Sequence, residues 1–372
     1  EVRFAEGGTG RRWRAAPHIV VGWPGRDGDR TLRPSPRIQA LPEVVVADLE
    51  RSSETPYVRQ VFASGKWESV DDALGEPYPE GGTARGGAAV FKEQAACPFR
   101  AYARFRLGAE PLGSPQPGLD AAARGSLMHR ALECFWQVVP DQPTLLQLTP
   151  QAQQTQVADA VRQAIAEEIK RRPATFTERF VAIERVRLEQ RLALWLEVER
   201  QRAPFQVVGA EKAREVEVGG LRVKARIDRI DRLEDGRLVI IDYKTGKSTV
   251  QAWWGERPDE PQLPLYALSS DSPLAALAFA ELRPGACRFK GLADEPDLLP
   301  QVGRRANGLE AEWEWGDLLG EWSLVLADLA QAFRAGEARV DPKKRGETCR
   351  YCALTALCRV AEAEWIDGGD DE

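Results

Sequence analysis

LVIIDYKTG, residues 238–246, places four apolar residues directly before Asp242 and Lys244. An apolar run like this is typical of a strand that is buried on both faces of a sheet. Side chains alternate along a strand, so Asp242 and Lys244 point the same way where this strand ends. The carboxylate can hold Mg²⁺ or Mn²⁺, and the lysine can stabilise charge on an attacked phosphate. A solvated salt bridge between the two side chains is the alternative interpretation.

The preceding segment, residues 221–228, alternates between apolar and polar residues, which predicts a strand with two different faces. Its apolar face carries Leu221, Val223, Ala225 and Ile227. Its polar face carries Arg222, Lys224, Arg226 and Asp228. If this strand pairs with the next one, Asp228 and Asp242 can converge on one metal ion, and the basic residues can hold phosphate.

The remaining pattern predicts helices first and strands after them. Apolar spacing favours helices over residues 91–107, 120–138, 150–170, 177–203, 261–268 and 315–333. Strands are expected over residues 205–218, 221–231, 237–244 and 274–282, with Gly219-Gly220 as a hairpin turn. This order predicts an α/β or α+β core. Residues 81–87, GGTARGG, are interpreted as a linker.

Bulk composition sets wide limits on function. The chain has 372 residues and a net charge of -6, which argues mildly against nucleic-acid binding unless a local basic groove is present. It contains no run of eighteen apolar residues and does not begin like a signal peptide, so we expect a cytoplasmic protein without membrane contact. In that setting its six cysteines indicate metal binding rather than disulfides.

Three of the cysteines form a C-x2-C-x5-C pattern near the end of the chain, at Cys349, Cys352 and Cys358. Thiolates this close in sequence predict a tetrahedral metal or a cluster that needs a fourth ligand. Spacing alone leaves zinc and iron–sulfur open. The candidates for the fourth ligand are Cys97, Cys134 and Cys287.

Two further motifs lie on predicted helices. Residues 125–133 read GSLMHRALE and contain His129, one of only two histidines in the chain. Gln262 and Tyr266 are four residues apart, which places both on one helical face.

These motifs, in this order, resemble the PD-(D/E)XK nuclease superfamily over about residues 91–360, and the RecB and AddB nuclease domains most closely. The resemblance implies a restriction-endonuclease-like core, a central mixed sheet flanked by helices, with helical insertions. It implies the following metal ligands: His129, Asp228, Asp242 and the Tyr243 carbonyl. Lys244 would orient the nucleophile, and Gln262 and Tyr266 would contact DNA or the lysine. Glu133 would support the site or act as a further ligand.

AddB-type nucleases also suggest an arrangement for the cysteines, with one ligand before the nuclease core and three after it around a [4Fe-4S] cluster. By that resemblance the ligands are Cys97, Cys349, Cys352 and Cys358, with zinc as the rival occupant. Such a clamp closes a loop of roughly 250 residues, where cross-links stabilise most. Cys134 and Cys287 are then expected to be buried apolar residues.

The resulting hypothesis is a metal-dependent deoxyribonuclease, expected to be an exonuclease, acting in DNA end processing and recombinational repair beside a helicase partner. The predicted parts are residues 1–90, the end of a helicase-like domain plus linker, residues 91–362, the nuclease domain, and residues 363–372, an acidic tail. The alternatives are an inactive DNA-end-binding scaffold and a zinc-stabilised structural module. Basic residues near Cys97 either bind single-stranded DNA or form a solvated helix face: Arg100, Arg104 and Arg106.

Overall fold

The computed structural model describes residues 19–36, 38–44, 60–61, 63–65, 72–111, 118–270, 272–304 and 313–360. The chain divides into two compact units, Glu1–Ser69 and Val70–Glu372. In the first unit, strands β1 (Arg26–Asp27) and β2 (Arg30–Thr31) form a short antiparallel hairpin. The predicted acidic tail, residues 363–372, lies outside the described residues.

The helices of the second unit begin at polar caps where the sequence supplies them. Asp120, Thr149 and Thr177 each accept a hydrogen bond from the backbone N–H three residues later, which satisfies a group that the helix leaves open. The helices are α1 (Ala89–Ala96), α2 (Pro98–Phe105), α3 (Ala121–Val138), α4 (Gln142–Gln147), α5 (Pro150–Arg171), α6 (Glu178–Glu199), α7 (Gln262–Leu268), α8 (Trp315–Ala335), α9 (Arg345–Thr348) and α10 (Thr355–Cys358).

A six-stranded mixed sheet lies at the centre of this unit. Its strands are β3 (Thr83–Ala84), β4 (Phe205–Val218), β5 (Leu221–Leu233), β6 (Leu238–Lys244), β7 (Leu274–Arg283) and β8 (Ala286–Ala293). The order is β3-β5-β6-β7-β8, and β4 pairs with β5. The β3/β5 and β6/β7 pairs are parallel, while the other pairs are antiparallel.

Alternate residues of β6 contact two separate apolar cores, one on each side of the sheet. Ile241 and Tyr243 pack in the core that contains residues of α3, α5 and α6. Ile240 packs in the opposite core, with residues of α1, α7 and α8. The central mixed sheet flanked by helices confirms the predicted fold class, and it explains why the strand before Asp242 is apolar on both faces.

One edge of β5 is shared between two partners. β3 pairs with residues 222–223, and β6 pairs with residues 229–232. Residues 224–228 lie between these two pairings, where the edge borders a cleft. Asp228 is at the β6 end of this stretch, so the topology directs it towards the end of β6.

The interpretation of residues 81–87 as a linker is wrong. Thr83 and Ala84 form β3, parallel to β5, and Ala84 is buried. Gly86 and Gly87 follow with φ of 99° and 56°, conformations that glycine adopts without strain. The second compact unit begins at Val70, upstream of the boundary predicted between residues 90 and 91.

The structure differs from the sequence-based prediction at one helix and one strand. The helix predicted over residues 91–107 is broken at Cys97, which has an extended φ of -171°. Pro98 lacks the N–H that would continue α1 and instead begins α2. Strand β8 was not predicted, because Arg288, Lys290 and Gly291 interrupt its apolar residues.

In the described part of the chain, no helix has the length and apolar character needed to span a membrane.

Candidate functional site

The end of β6 holds a buried carboxylate beside a lysine. Lys244 Nζ lies 2.8 Å from Asp242 Oδ2, and Asp242 is only 1% exposed. Burial, then the negative charge of Asp228, raises the pKa of Asp242 to about 7, although Lys244 opposes this shift. The carboxylate is therefore poorly solvated, and a second cation would stabilise its ionised form.

Asp228 and His129 face the same end of β6 from two other elements. The Tyr243 backbone N–H donates to Asp228 Oδ2 at 2.8 Å, which ties β5 to β6. His129, on α3, has Nδ1 at 3.4 Å from Asp228 Oδ2 and Nε2 at 2.9 Å from the Tyr243 carbonyl oxygen. The structure thus brings His129, Asp228 and the Tyr243 carbonyl together.

These donors suit a divalent cation. Asp242 Oδ2 is buried and, despite the nearby lysine, accepts no hydrogen bond of good geometry from the described residues. Carboxylate and carbonyl oxygens are the preferred ligands of Mg²⁺, and Mn²⁺ also accepts imidazole. Among the described residues, no group of three His, Cys, Asp or Glu side chains is already arranged as a metal site.

A hydrogen-bond chain continues from Lys244 to α7. The Lys244 ammonium donates to Gln262 Oε1 at 3.4 Å, and Gln262 Nε2 donates to the Tyr266 hydroxyl at 2.8 Å. The Tyr266 hydroxyl donates in turn to the Arg226 carbonyl on the open edge of β5. The predicted helical pair therefore contacts the lysine side of the site.

Glu133 does not contact these groups in the structure. Its carboxylate pairs with Arg130, which also pairs with Glu167 across to α5. Glu133 lines the same cavity of about 570 Å³ as His129 and Asp228. Its position fits a supporting role better than that of a direct ligand.

Buried charges lie behind the site, on the far side of Tyr243. The Tyr243 hydroxyl accepts a hydrogen bond from Arg229 Nη1 at 3.1 Å. Arg229 also pairs with Asp231 and Glu199, and Arg202 pairs with both carboxylates. Two arginines and two carboxylates balance in charge, and the charged hydrogen bonds they share offset part of the desolvation cost.

Sequence patterns gave no signal for Glu281, which supports the loop after β6. It lies on β7, opposite Lys244, and is completely buried. Its carboxylate accepts hydrogen bonds from the Ser248 N–H at 2.6 Å and the Ser248 hydroxyl at 2.9 Å. Only strand pairing reveals this contact, because 33 residues separate the partners.

The four predicted cluster cysteines come from opposite ends of the second unit. Cys97 is buried, while Cys349, Cys352 and Cys358 are partly buried, and none forms a disulfide. Burial, then the charges of the other three thiols, raises the pKa of Cys349. Like the side chains at the end of β6, these thiols do not form a ready metal site within the described residues.

Backbone hydrogen bonds join the two ends beside Cys97. The Phe99 N–H donates to the Arg339 carbonyl and the Lys343 N–H donates to the Ala96 carbonyl, both at 2.9 Å. Arg257 adds a side-chain bridge, donating to the Ala95 carbonyl at 2.7 Å. The C-terminal segment is therefore held at the bend between α1 and α2.

The arginines near Cys97 form ion pairs and hydrogen bonds within the protein. Arg100 and Arg104 both pair with Glu93 of α1. Arg106 donates to the carbonyls of Glu76 and Pro77 at 2.8 and 3.1 Å. These contacts favour a structural role over the predicted single-stranded DNA surface.

Comparison with known proteins bears directly on the family. The family model of the PD-(D/E)XK nuclease superfamily matches residues 89–359, which is more than half of the chain. No curated protein matches the chain. Among 11 matching chains of solved structures is one titled "Crystal structure of SSO0001", 14% identical, covering 73% of this chain and 94% of that chain with a TM-score of 0.26. The chain belongs to the PD-(D/E)XK nuclease superfamily.

Proposed function

We propose that this chain is a Mg²⁺- or Mn²⁺-dependent deoxyribonuclease of the RecB/AddB type. The observation that carries the proposal is the convergence of a histidine, two carboxylates and a lysine at the end of β6: His129, Asp228, Asp242 and Lys244. These groups come from α3, β5 and β6, so their meeting depends on the fold and not on sequence proximity.

In this proposal the metal is held by donors at the end of β6: His129, Asp228, Asp242 and the Tyr243 carbonyl. When bound, Mg²⁺ or Mn²⁺ polarises the phosphodiester and lowers the pKa of a bound water molecule. The positive charge of the metal would stabilise the ionised form of the buried Asp242 carboxylate.

Lys244 acts in this proposal as a fixed positive charge and not as a base. Burial disfavours its charged form, but Asp242 and then Glu260 outweigh this effect and raise the pKa of Lys244. The ammonium is therefore protonated at neutral pH, and it can steady the nucleophile and the charge that develops on phosphate. Gln262 restricts where this ammonium can lie.

The resemblance to RecB and AddB supports the wider role. We infer an exonuclease that acts on DNA ends in recombinational repair, in the cytoplasm and beside a helicase partner. The first compact unit, Glu1–Ser69, would be the end of a helicase-like domain. The competing interpretation is an inactive scaffold that binds DNA ends.

Cleavage of labelled linear DNA tests the nuclease proposal. The protein is incubated with single- and double-stranded DNA and Mg²⁺ or Mn²⁺, beside an EDTA control and a Lys244→Ala variant. We expect metal-dependent cleavage that falls by about a hundredfold or more in the variant. Covalently closed circular DNA should survive if the enzyme is an exonuclease.

Full activity in the Lys244→Ala variant would overturn the role of this lysine. Absence of cleavage by metal-loaded wild-type protein that still binds DNA ends would favour the scaffold.

We further propose that Cys97, Cys349, Cys352 and Cys358 hold a [4Fe-4S] cluster. Support comes from the C-x2-C-x5-C spacing and from the backbone hydrogen bonds that hold the C-terminal segment beside Cys97. Protein purified without oxygen should be brown and contain iron. Colourless protein with stoichiometric zinc would replace the cluster by a zinc site.

A further inference from the structure

Two cavities border the open edge of β5, and they differ in charge. The first, of about 360 Å³, has the glycines of the β3–α1 turn on one wall and α7 on the other. Its charged residues are Lys92, Lys224, Arg226, Lys244 and a single carboxylate, Glu260. The second, the cavity beside His129, also touches Arg130, Arg171 and Arg226 but has four carboxylates: Glu133, Glu167, Glu168 and Asp228. A polyanion is therefore attracted more strongly to the first cavity than to the second.

We propose that a single strand of DNA lies in the basic cleft, defined by Arg85, Lys92, Lys224, Arg226 and Lys244. The strand runs from Lys244 across the open edge of β5 and past the Gly86–Gly87 turn, where Arg85 lines an adjoining cavity that shares Gly86. This inference rests on the proposed nuclease function, and it names the substrate and its path.

Two cations of the basic cleft are available to phosphate. Arg85 and Lys224 are exposed, and neither forms an ion pair with a described carboxylate. Lys92, by contrast, pairs with Glu260, as Arg104 pairs with Glu93. A cation without a carboxylate partner contributes its full charge to a bound phosphate, so Arg85 and Lys224 should contribute most to binding.

The shape of the cleft favours one strand over two. The reactive groups are recessed, with Asp242 buried and the Lys244 side chain only 27% exposed. The glycine turn closes tightly on the floor: a Cβ atom at Gly87 would lie 2.4 Å from the Lys224 carbonyl oxygen. A flexible single strand can follow a narrow basic groove to these groups. A rigid duplex would have to open first.

DNA binding without cleavage tests this path directly. Fluorescence anisotropy in EDTA measures the affinity of full-length protein for labelled oligothymidylate and for a blunt duplex of equal length. The test variant is Arg85→Gln/Lys224→Gln. The control is Arg222→Gln/Arg232→Gln, which removes two exposed positive charges from the same sheet outside the basic cleft.

We expect the test variant to bind oligothymidylate about tenfold more weakly and the control variant to bind it like wild type. The salt dependence of binding should also decrease by about 1.4 in slope for the test variant, from two phosphate contacts at roughly 0.7 each. Wild type should prefer oligothymidylate to the duplex.

Equal loss of affinity in both variants, or no loss in either, would overturn the path. Tighter binding of the duplex by wild type would overturn the single-strand assignment. The cleavage assay with Lys244→Ala is a separate test. If Arg85→Gln/Lys224→Gln alone loses DNA binding but the wild-type protein does not cleave DNA, the nuclease function is rejected and the path of the strand is retained.

Discussion

At the scale of single residues, two tyrosine hydroxyls lie on opposite sides of β6 and have different surroundings. The Tyr266 hydroxyl links Gln262 to the Arg226 carbonyl at the wall of the basic cleft. The Tyr243 hydroxyl contacts Arg229 in the buried charge network and faces away from the site. A Tyr→Phe substitution removes only the hydroxyl, so the two variants should distinguish an effect on catalysis from an effect on stability.

Tyr266→Phe should lower the rate of DNA cleavage by about tenfold, because Gln262 loses the hydrogen bond that positions it next to Lys244. Tyr243→Phe should keep its activity but lose about 1–3 kcal/mol of unfolding free energy, because the buried Arg229 loses an acceptor. Steady-state rates and urea unfolding of both variants check this pair. The reverse pattern would place Tyr266 outside the site.

Sequence patterns predicted which residues lie together at the end of β6 but not all of their partners. The Asp-x-Lys spacing placed Asp242 and Lys244 on one side of a strand, and they form an ion pair. The same reasoning left Glu133 as a possible ligand, but the structure pairs it with Arg130. Which cation neutralises a carboxylate depends on side-chain contacts that residue spacing does not fix.

At the scale of elements, the loop after β6 is held by the neighbouring strand β7. Burial alone would raise the pKa of Glu281. Hydrogen bonds from Ser248 and ion pairs with Lys290 and Arg288 instead lower this pKa to about 2, from an ordinary value of 4.5. A carboxyl group whose folded pKa is depressed stabilises the fold above its unfolded pKa and loses that effect as the pH falls towards its folded pKa.

Glu281→Gln should therefore reduce the unfolding free energy by about 3 kcal/mol near neutral pH, since each pKa unit corresponds to roughly 1.4 kcal/mol. Below pH 4.5 the difference from wild type should shrink, because the wild-type carboxyl of the unfolded chain takes up protons there. Urea unfolding at neutral and acidic pH measures this difference in unfolding free energy between the variant and wild type. A difference independent of pH would mean that Glu281 is not the ionised anchor of the loop.

The turn between β3 and α1 offers a second prediction at this scale. Gly87 has φ of 56° and no room for a Cβ atom beside the Lys224 carbonyl, whereas Gly246 has nothing within 4 Å. Gly87→Ala should cost about 1–3 kcal/mol of stability through strain and displacement of the turn. Gly246→Ala is the matched control and should be nearly neutral. Equal effects of the two substitutions would show that the tight turn does not constrain the fold.

Element boundaries were predicted well where periodicity is strong and poorly where it is not. The helix predicted over residues 120–138 is Ala121–Val138, and the strand predicted over residues 205–218 has the same bounds in the structure. The two-residue strand β3 has no periodicity to detect, and it exists only because it pairs with β5. Short strands of this kind depend on partners that the local sequence does not reveal.

At the scale of the whole molecule, hydrogen bonds join the beginning and the end of the second unit. Lys343 and Arg339 bond to the bend at Cys97, and Arg257 bridges Ala95 to Asp341. A cluster on the cysteines would add a cross-link over a long loop, which mainly restricts the unfolded chain.

Cys97→Ser should remove the iron and lower the unfolding free energy by roughly 3–5 kcal/mol, by analogy with other cross-links of long loops. Cys287→Ser, at a partly buried cysteine outside the proposed cluster, should keep the iron and change stability little. Iron analysis and unfolding under anaerobic conditions compare the two. Iron retained in the Cys97→Ser protein would remove Cys97 from the ligand set.

The amino-acid sequence by itself determined the central strands, the helix that carries His129 and the polar face with Asp228, because these follow from short-range backbone periodicity. Only the tertiary structure decided which charged side chains are paired within the protein and which are exposed to a ligand. It paired Arg100 and Arg104 with Glu93, anchored the β6 loop on Glu281, and left Arg85 and Lys224 exposed beside the site. The physical reason is that Coulomb attraction and hydrogen bonding depend on distance in space, and a pair such as Glu281 and Ser248 is brought together by the pairing of β6 with β7 and not by closeness along the chain.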